Sequence, residues 1–283
     1  MAVSTANYFS NSIPSGELTV GAGIDLFTEQ STTAPKFAMG TRALRADGNV
    51  YRYVHFGATV NAGEVVAPDL NESAQIYTSN AVIDTSSVFQ QLDESNGTYP
   101  GMIGSRYIVI QHNGITKDQF AGGYIAISSG TGLGYTYRIK GNKASSGTAT
   151  TISLHDPIVV GLDATSDISI GPSKYSNLEA GIGLTTQNGL AVGVAVRTIS
   201  TAGNFGWVLT RGVIGVRQSG TLVTGKLARL SDTDAGHVEP WGNGAAASST
   251  GSGLVALLDG PVVGTVLLAT ASSGHALIDV KLE

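Results

Sequence analysis

Short stretches in which apolar and polar residues alternate recur along most of this chain, and they predict β-strands. In residues 50–56 (VYRYVHF), even-numbered residues share one face and odd-numbered residues share the other. Residues 135–140 (YTYRIK) alternate in the same way, with the tyrosines and Ile139 on one face and Arg138 and Lys140 on the other. This second pattern predicts a strand with one buried side and one side in water.

Glycine-containing turn signals separate these stretches and predict hairpins. They lie at residues 47–49 (DGN), 113–114 (NG), 130–134 (GTGLG) and 141–142 (GN). Residues 82–93 are the single plausible helix in the middle of the chain, and the pattern there is weak because Val88 and Phe89 are poor helix formers. The sequence therefore predicts an all-β fold, a β-barrel or β-sandwich of short antiparallel strands.

Changes in composition divide the chain into three expected regions. Residues 1–40 read as an extended N-terminal arm with one short strand. Residues 41–178 read as a β domain with an irregular insertion, and residues 179–283 as a C-terminal β-barrel or β-sandwich domain. The arm contains apolar side chains with little to bury against locally, so we expect it to pack on a neighbouring subunit or partner; these are Leu18, Val20, Leu26 and Phe27.

The C-terminal region contains an internal repeat. Gly193 and Gly203 have the same separation as Gly264 and Gly274, and each pair lies in a strand–turn–strand pattern. Trp207 alternates with small and apolar neighbours in the first copy, which predicts that its side chain is buried. Residues 242–253 (GNGAAASSTGSG) are low in complexity and are typical of a flexible loop.

Composition narrows the possible functions. Glycine accounts for 38 of 283 residues and charged residues for 13 %, which favours short strands and tight turns over long solvated helices. The net charge is −5 and the basic residues are scattered, so we expect no nucleic-acid partner. The chain has no cysteine, which excludes disulfides and thiolate metal sites. Residues 254–271 are apolar but interrupted by a turn signal, so we expect no membrane span.

Candidate catalytic patterns are weak. Ser153, His155 and Asp156 have the residue types of a serine triad, but such close neighbours diverge on a strand. The glycines at 130–134 lack the spacing of a nucleotide-binding loop. Asp163 and Asp167 are too close to each other in sequence, and too far from any aromatic residue, to suggest the carboxylate pair of a glycosidase. We therefore expect no enzymatic activity, no catalytic residue and no cofactor.

Two further groups were considered as binding sites. The segment 231–237 (SDTDAGH) offers Asp232, Asp234 and His237 to a cation, although acidic glycine loops are more often solvated turns. We therefore predict no metal site. The tyrosines at 51, 53, 135 and 137 could stack on sugars, but cross-strand pairs that stabilise a sheet are the more economical interpretation.

Two segments resemble a known family. Residues 192–216 (VGVAVRTISTAGNFGWVLTRGVIGV) resemble the strand–turn–strand element of tailed-bacteriophage capsid decoration, or cement, proteins. Residues 58–68 (ATVNAGEVVAP) resemble the hairpin of the same family, and residues 71–180 lie between the two segments. Residues 122–142 are similar more generally to phage structural proteins, which include tail and baseplate parts.

The resemblance implies a structural protein on the capsid surface of the virion, present in the host cytoplasm during assembly. Its implied partners are the major capsid protein and further copies of itself, as a homotrimer or another homo-oligomer. Two alternatives remain open at this point: a tail or baseplate component, and a carbohydrate-binding protein of the virion surface.

Overall fold

The structure is a computed structural model of the full chain. It describes residues 18–19, 24–28, 36–69, 76–77, 101–146, 149–163, 165–182, 190–241, 261–270 and 274–283. The predicted helix at 82–93 and the glycine-rich segment at 242–253 lie outside these ranges. Where the structure describes the chain, all regular elements are strands, so the all-β prediction is confirmed.

The strands are short, except for one. In chain order they are β1 (Leu18–Thr19), β2 (Arg42–Leu44), β3 (Val50–His55), β4 (Val65–Pro68), β5 (Ile76–Tyr77), β6 (Tyr107–Gln111), β7 (Tyr124–Ser129), β8 (Thr136–Asn142), β9 (Ala149–Leu154), β10 (Asp167–Gly171), β11 (Leu178–Ala180), β12 (Gly193–Ala195), β13 (Phe205–Arg217), β14 (Leu227–Leu230), β15 (Val238–Pro240), β16 (Val262–Leu268) and β17 (His275–Lys281).

The chain forms two compact units. Unit 1 combines Met1–Leu70 with Lys174–Glu283, and unit 2 is the segment Asn71–Ser173 between them. This division differs from the expected domains at 41–178 and 179–283. The physical reason is strand pairing: β3 pairs with β13, and β4 pairs with β12. These hydrogen bonds place residues 41–70 in the same unit as the C-terminal strands.

Unit 1 is built on one curled sheet. Its strand order is β1-β2-β3-β13-β17-β16-β14-β15, and β12 joins β13 to β4, which pairs in turn with β11. All these pairs are antiparallel except β1 with β2. The sheet curls far enough that Phe56, directly after β3, forms a bridge to Leu178 of β11.

Alternate residues of the same strands enter two different hydrophobic cores of unit 1. On β3, Tyr51 and Tyr53 belong to one core, whereas Val54 and Phe56 belong to the other. Alternation therefore does separate two faces of β3, as expected, but each face packs into a hydrophobic core. A sheet covered on both sides loses the wet face that simple alternation implies.

The internal repeat forms two antiparallel strand pairs, β12 with β13 and β16 with β17. Their registers differ by one residue. Val194 pairs with Leu209, and an identical register would pair Thr265 with Val280, whereas Thr265 pairs with Asp279. An irregularity between Val266 and Leu268 accompanies this shift.

The expected arm packs partly on unit 1 itself. Leu26 is buried in the larger core, and Phe37 makes an edge contact with Tyr53 at 5.3 Å between ring centroids. The expectation that Leu26 packs on a neighbouring subunit is therefore wrong, because its side chain packs into the hydrophobic core of its own unit. Phe27, in contrast, is 60 % exposed. The side chains of Leu18 and Val20 lie outside the described residues.

Unit 2 contains the second sheet, with strand order β5-β10-β7-β8-β9-β6 and antiparallel pairing throughout. Its core consists mostly of isoleucine, whose β-branched side chain suits a pleated surface. Within β8 the predicted alternation is confirmed, because Tyr137 and Ile139 are buried and Thr136, Arg138 and Lys140 are exposed. Tyr135, which the pattern placed on the buried face, is 43 % exposed because it precedes the strand, in the connection between β7 and β8.

Candidate interaction surfaces

The residues of the considered triad do not converge on a nucleophile. Ser153 lies on β9 opposite Tyr107, and His155 follows at the end of that strand. Burial lowers the pKa of His155 first, and the charges of Arg138 and Lys140 lower it further, whereas Asp156 acts in the opposite direction without reversing the shift. A triad histidine needs a carboxylate that stabilises its charged form. The surroundings of His155 are cationic instead.

The acidic loop at 231–237 is already neutralised by an arginine. Arg229 is fully buried on β14, donates to Asp232 at 2.6 Å, and forms a second ion pair with Glu239 of β15. Asp234 accepts a hydrogen bond from the hydroxyl of Ser219. The cation that this loop binds is therefore the guanidinium group of Arg229, which the sequence pattern did not reveal.

Within the described ranges, no three histidine, aspartate or glutamate side chains lie close enough together to hold a metal ion. His55 illustrates the structural use of a histidine. Its ring contacts Phe205 at 4.9 Å, and its Nδ1 accepts a hydrogen bond from the backbone N–H of Asn177 at 3.3 Å. Burial lowers the pKa of His55, against a smaller opposing hydrogen bond at Gly203, so the ring is held in its neutral form.

The glycine-rich segment at 130–134 is the connection between β7 and β8, as expected. Gly130, Gly132 and Gly134 all have positive φ. A Cβ at Gly130 would lie 1.8 Å from the carbonyl oxygen of Thr165, so a larger residue cannot fit there. The segment leads into a strand, not into the helix that a nucleotide-binding loop requires.

The aromatic residues of β3 form a core cluster. The rings of Tyr53 and Phe205 stack at 5.7 Å between centroids, and Trp207 meets Tyr53 at 5.2 Å. Trp207 is 1 % exposed, which confirms its predicted burial. The interpretation of Tyr51 and Tyr53 as sheet-stabilising residues is confirmed, because both are buried.

The two remaining carboxylates considered for catalysis serve turns. Asp163 accepts hydrogen bonds from Thr165 and Thr131, and these bonds lower its pKa. Asp167 accepts a hydrogen bond from the hydroxyl of Ser129 on the neighbouring strand. Both carboxylates thus hold the strand ends of unit 2 together.

The two segments that resemble cement proteins meet in unit 1. The backbone N–H of Gly63 donates to the carbonyl of Ala195 at 2.9 Å, and the carbonyl of Gly63 accepts from the N–H of Arg217 at 2.9 Å. Val65 pairs with Val194 in the sheet. The side chain of Glu64, 5 % exposed, pairs with Arg217 at 2.5 Å. The hairpin is thus fixed to the beginning of the longer segment and to Arg217, directly after its end.

The outer side of the C-terminal sheet in unit 1 carries exposed apolar side chains, which we call the apolar face: Val213, Leu227, Trp241, Leu268 and Leu277. Leu268 and Leu277 are direct cross-strand partners and are 58 % and 39 % exposed. The backbone N–H of Trp241 donates to the carbonyl of Leu227 at 3.1 Å, which brings Trp241 beside β14. Asp279 and Lys281 of β17 point to the same side of the sheet as Leu277 and form an ion pair with each other.

The outer side of the unit 2 sheet carries a group of basic side chains, which we call the basic row: Arg106, Arg138, Lys140 and His155. Arg138 and Lys140 alternate on β8, and the backbone N–H of His155 bonds to the carbonyl of Arg138 at 3.0 Å. Arg106 donates from its guanidinium to the carbonyl of His155. These residues are scattered in sequence, and only the pairing of β6, β9 and β8 brings them together.

Comparison with known proteins gives no relative: no family model, no curated protein and no solved structure matches the chain. Among the residues that the structure describes, no helix is long and apolar enough to cross a membrane. The surfaces above are therefore interpreted from their own chemistry.

Proposed function

We propose that this chain is a structural protein of a tailed-bacteriophage virion that binds the assembled capsid as a decoration protein and stabilises it. The observation that carries the proposal is the union of residues 58–68 and 192–216 in one unit. More than a hundred residues separate the two cement-like segments in sequence, yet they share backbone hydrogen bonds. Unit 2 (Asn71–Ser173) then corresponds to an insertion between them.

The apolar face supplies a surface for such binding. Several exposed apolar side chains on one side of a sheet, with polar residues such as Lys281 and Asp279 among them, are typical of a protein interaction site. Each leucine of this face is about half exposed, so burying its remaining surface against a partner stabilises the contact by about 1 kcal/mol before the costs of association. The proposed partners are the major capsid protein and further copies of this chain, and the proposed place is the capsid surface.

Stabilisation follows from mass action. A protein that binds the assembled shell and not the dissociated subunits raises the stability of the shell, by an amount that grows with the logarithm of its free concentration relative to its dissociation constant. Repetition on a lattice strengthens weak contacts further where one molecule touches more than one capsid subunit.

The test is to add purified protein to virus particles that lack it. We expect saturable binding with a copy number set by the icosahedral lattice, and a higher temperature of DNA release. Leu277→Lys should weaken binding, whereas Leu133→Lys, an exposed leucine of unit 2, should bind as the parent does. Binding of a few copies at one vertex would move the assignment to the tail, and no binding would reject a place on the virion.

A further inference from the structure

The sheet of unit 2 carries one transverse line of residues across four neighbouring strands. In register order these are Gly171 on β10, Tyr124 on β7, Arg138 on β8 and His155 after β9. Arg106, directly before β6, lies opposite Leu154 and reaches the line only through its guanidinium group, which donates to the carbonyl of His155. Neighbouring strands lie about 4.8 Å apart, so the line extends over about 14 Å. It is long enough for an extended ligand to lie across the strands.

The line is open to solvent. Tyr124 is 53 % exposed, and both Arg138 and Arg106 are exposed. Among the residues that the structure describes, no atom lies within 4 Å of a Cβ built on Gly171, the cross-strand partner of Tyr124. Tyr124 therefore lies between a glycine with open space beside it and Arg138.

The charge around the line is mostly positive. Arg138, Lys140 and Arg106 act on His155 as positive neighbours, and Asp156 is one opposing charge. This concentration of positive charge stands out in a chain whose net charge is −5. A surface of this kind attracts an anionic ligand.

We propose that the basic row, together with Tyr124 and Gly171, binds an acidic oligosaccharide that carries carboxylate groups. The guanidinium group of Arg138 presents paired donors that match a carboxylate, and Arg106, whose guanidinium group already donates to the carbonyl of His155, adds positive charge beside it. The ring of Tyr124 offers a flat face to a sugar ring. Gly171 has no side chain and leaves space for that sugar ring beside the tyrosine.

Two features favour a sugar over a nucleic acid. Affinity for nucleic acid grows with the number of phosphates that are neutralised, and this row offers only three permanent positive charges. A single aromatic ring beside an uncovered glycine also suits one sugar ring better than a run of stacked bases, which needs several aromatic platforms. The inference goes beyond capsid binding, because it concerns the other unit of the chain and a soluble ligand.

The experiment is calorimetric titration of the full-length protein with a hexamer of galacturonate, with neutral maltohexaose as the uncharged comparison. We expect saturable binding of the uronate and none of the neutral sugar. Arg138→Gln should weaken binding roughly tenfold, the loss of one charge-assisted hydrogen-bonding group. Tyr124→Ala should weaken it to a similar degree.

Lys117→Gln is the matched control, since Lys117 is exposed in the same unit and lies beside Asp118 instead of in the row. It should bind as the parent does, and all three variants should melt at the parent's temperature because the side chains are exposed. Four outcomes would overturn the proposal: no binding of the uronate, equal binding of maltohexaose, an unaffected Arg138→Gln, or tighter binding of an oligothymidylate of equal charge. No virus particle is used, so capsid binding and glycan binding can fail independently.

Discussion

The Nε of Arg52 donates a hydrogen bond to the carboxylate of Glu283 at 3.0 Å, although 231 positions separate the two residues. The same carboxylate accepts from the hydroxyl of Thr210 at 2.8 Å and lies 3.7 Å from Arg42. The last side chain of the chain is thereby tied to β2, β3 and β13. This contact links the two separate chain segments of unit 1, 1–70 and 174–283.

Breaking that contact should lower stability. Burial alone would raise the pKa of Glu283, but the hydrogen bonds from Arg52 and Thr210 and the nearby positive charges lower it below its ordinary value. A carboxylate with a lowered pKa contributes stability that is present above its unfolded-state pKa and is lost as the pH falls through its folded-state pKa. The free energy of unfolding should therefore decrease under acidic conditions.

Urea unfolding of Glu283→Gln measures this contribution. We expect a loss of about 1 kcal/mol at pH 7, because the group is partly solvated, and a smaller difference from the parent at low pH. Arg52→Gln should show the same trend, and the double variant should cost less than the sum of the two single changes. A pH-independent difference would show that the charge of Glu283 does not matter.

The region before β2 offers a matched pair of substitutions at adjacent positions. Leu26 is buried in the larger core of unit 1, whereas Phe27 is exposed. Leu26→Ala should lower the free energy of unfolding by about 2–5 kcal/mol, and Phe27→Ala should change it by less than about 0.5 kcal/mol. Equal effects in thermal or urea unfolding would mean that this region does not fold onto unit 1.

The two tryptophans provide a second comparison. Trp207 is buried among Phe37 and Tyr53, whereas Trp241 is 47 % exposed on the apolar face. Trp207→Ala should cost about 3–5 kcal/mol, and Trp241→Ala less than about 0.5 kcal/mol. Intrinsic fluorescence during urea unfolding gives both values, and it also reports whether the remaining indole is quenched by water. A Trp207 variant as stable as the parent would place that indole at the surface.

Local patterns in the sequence predicted the strands well where one face is wet. Tyr137 and Ile139 alternate with Arg138 and Lys140 because only one side of that sheet is buried. The same reasoning was incomplete for residues 50–56, because local alternation cannot show that a second core covers the other side. That core comes from strands far along the chain.

The surfaces were harder to predict than the strands. Arg106 and His155 are 49 positions apart, and only antiparallel pairing brings them together. Arg229 sits in the apolar-looking segment LARL, so its role at the acidic loop depends on Glu239 arriving from the next strand. Contacts of this kind depend on register between strands, which residue spacing along one strand does not encode.

The buried ion cluster at Arg229 should be sensitive to the loss of its positive charge. Removing one partner of a buried ion pair leaves an uncompensated charge in a poorly solvated site. Arg229→Met should therefore lower the free energy of unfolding by about 3–5 kcal/mol, since Asp232 and Glu239 would lose their counter-charge. Lys281→Met is the control, because it breaks an exposed pair with Asp279 and should cost less than about 0.5 kcal/mol.

The same cluster predicts the response to metal ions. Because Arg229 occupies the position that a cation would take beside Asp232, neither calcium nor a chelator should shift the melting temperature of the parent protein. In Arg229→Met the two carboxylates are released, and added calcium should recover part of the lost stability if it enters the vacated position. A rise in the melting temperature of the parent with calcium would contradict this account, because it would mean that the acidic loop binds an ion despite the arginine.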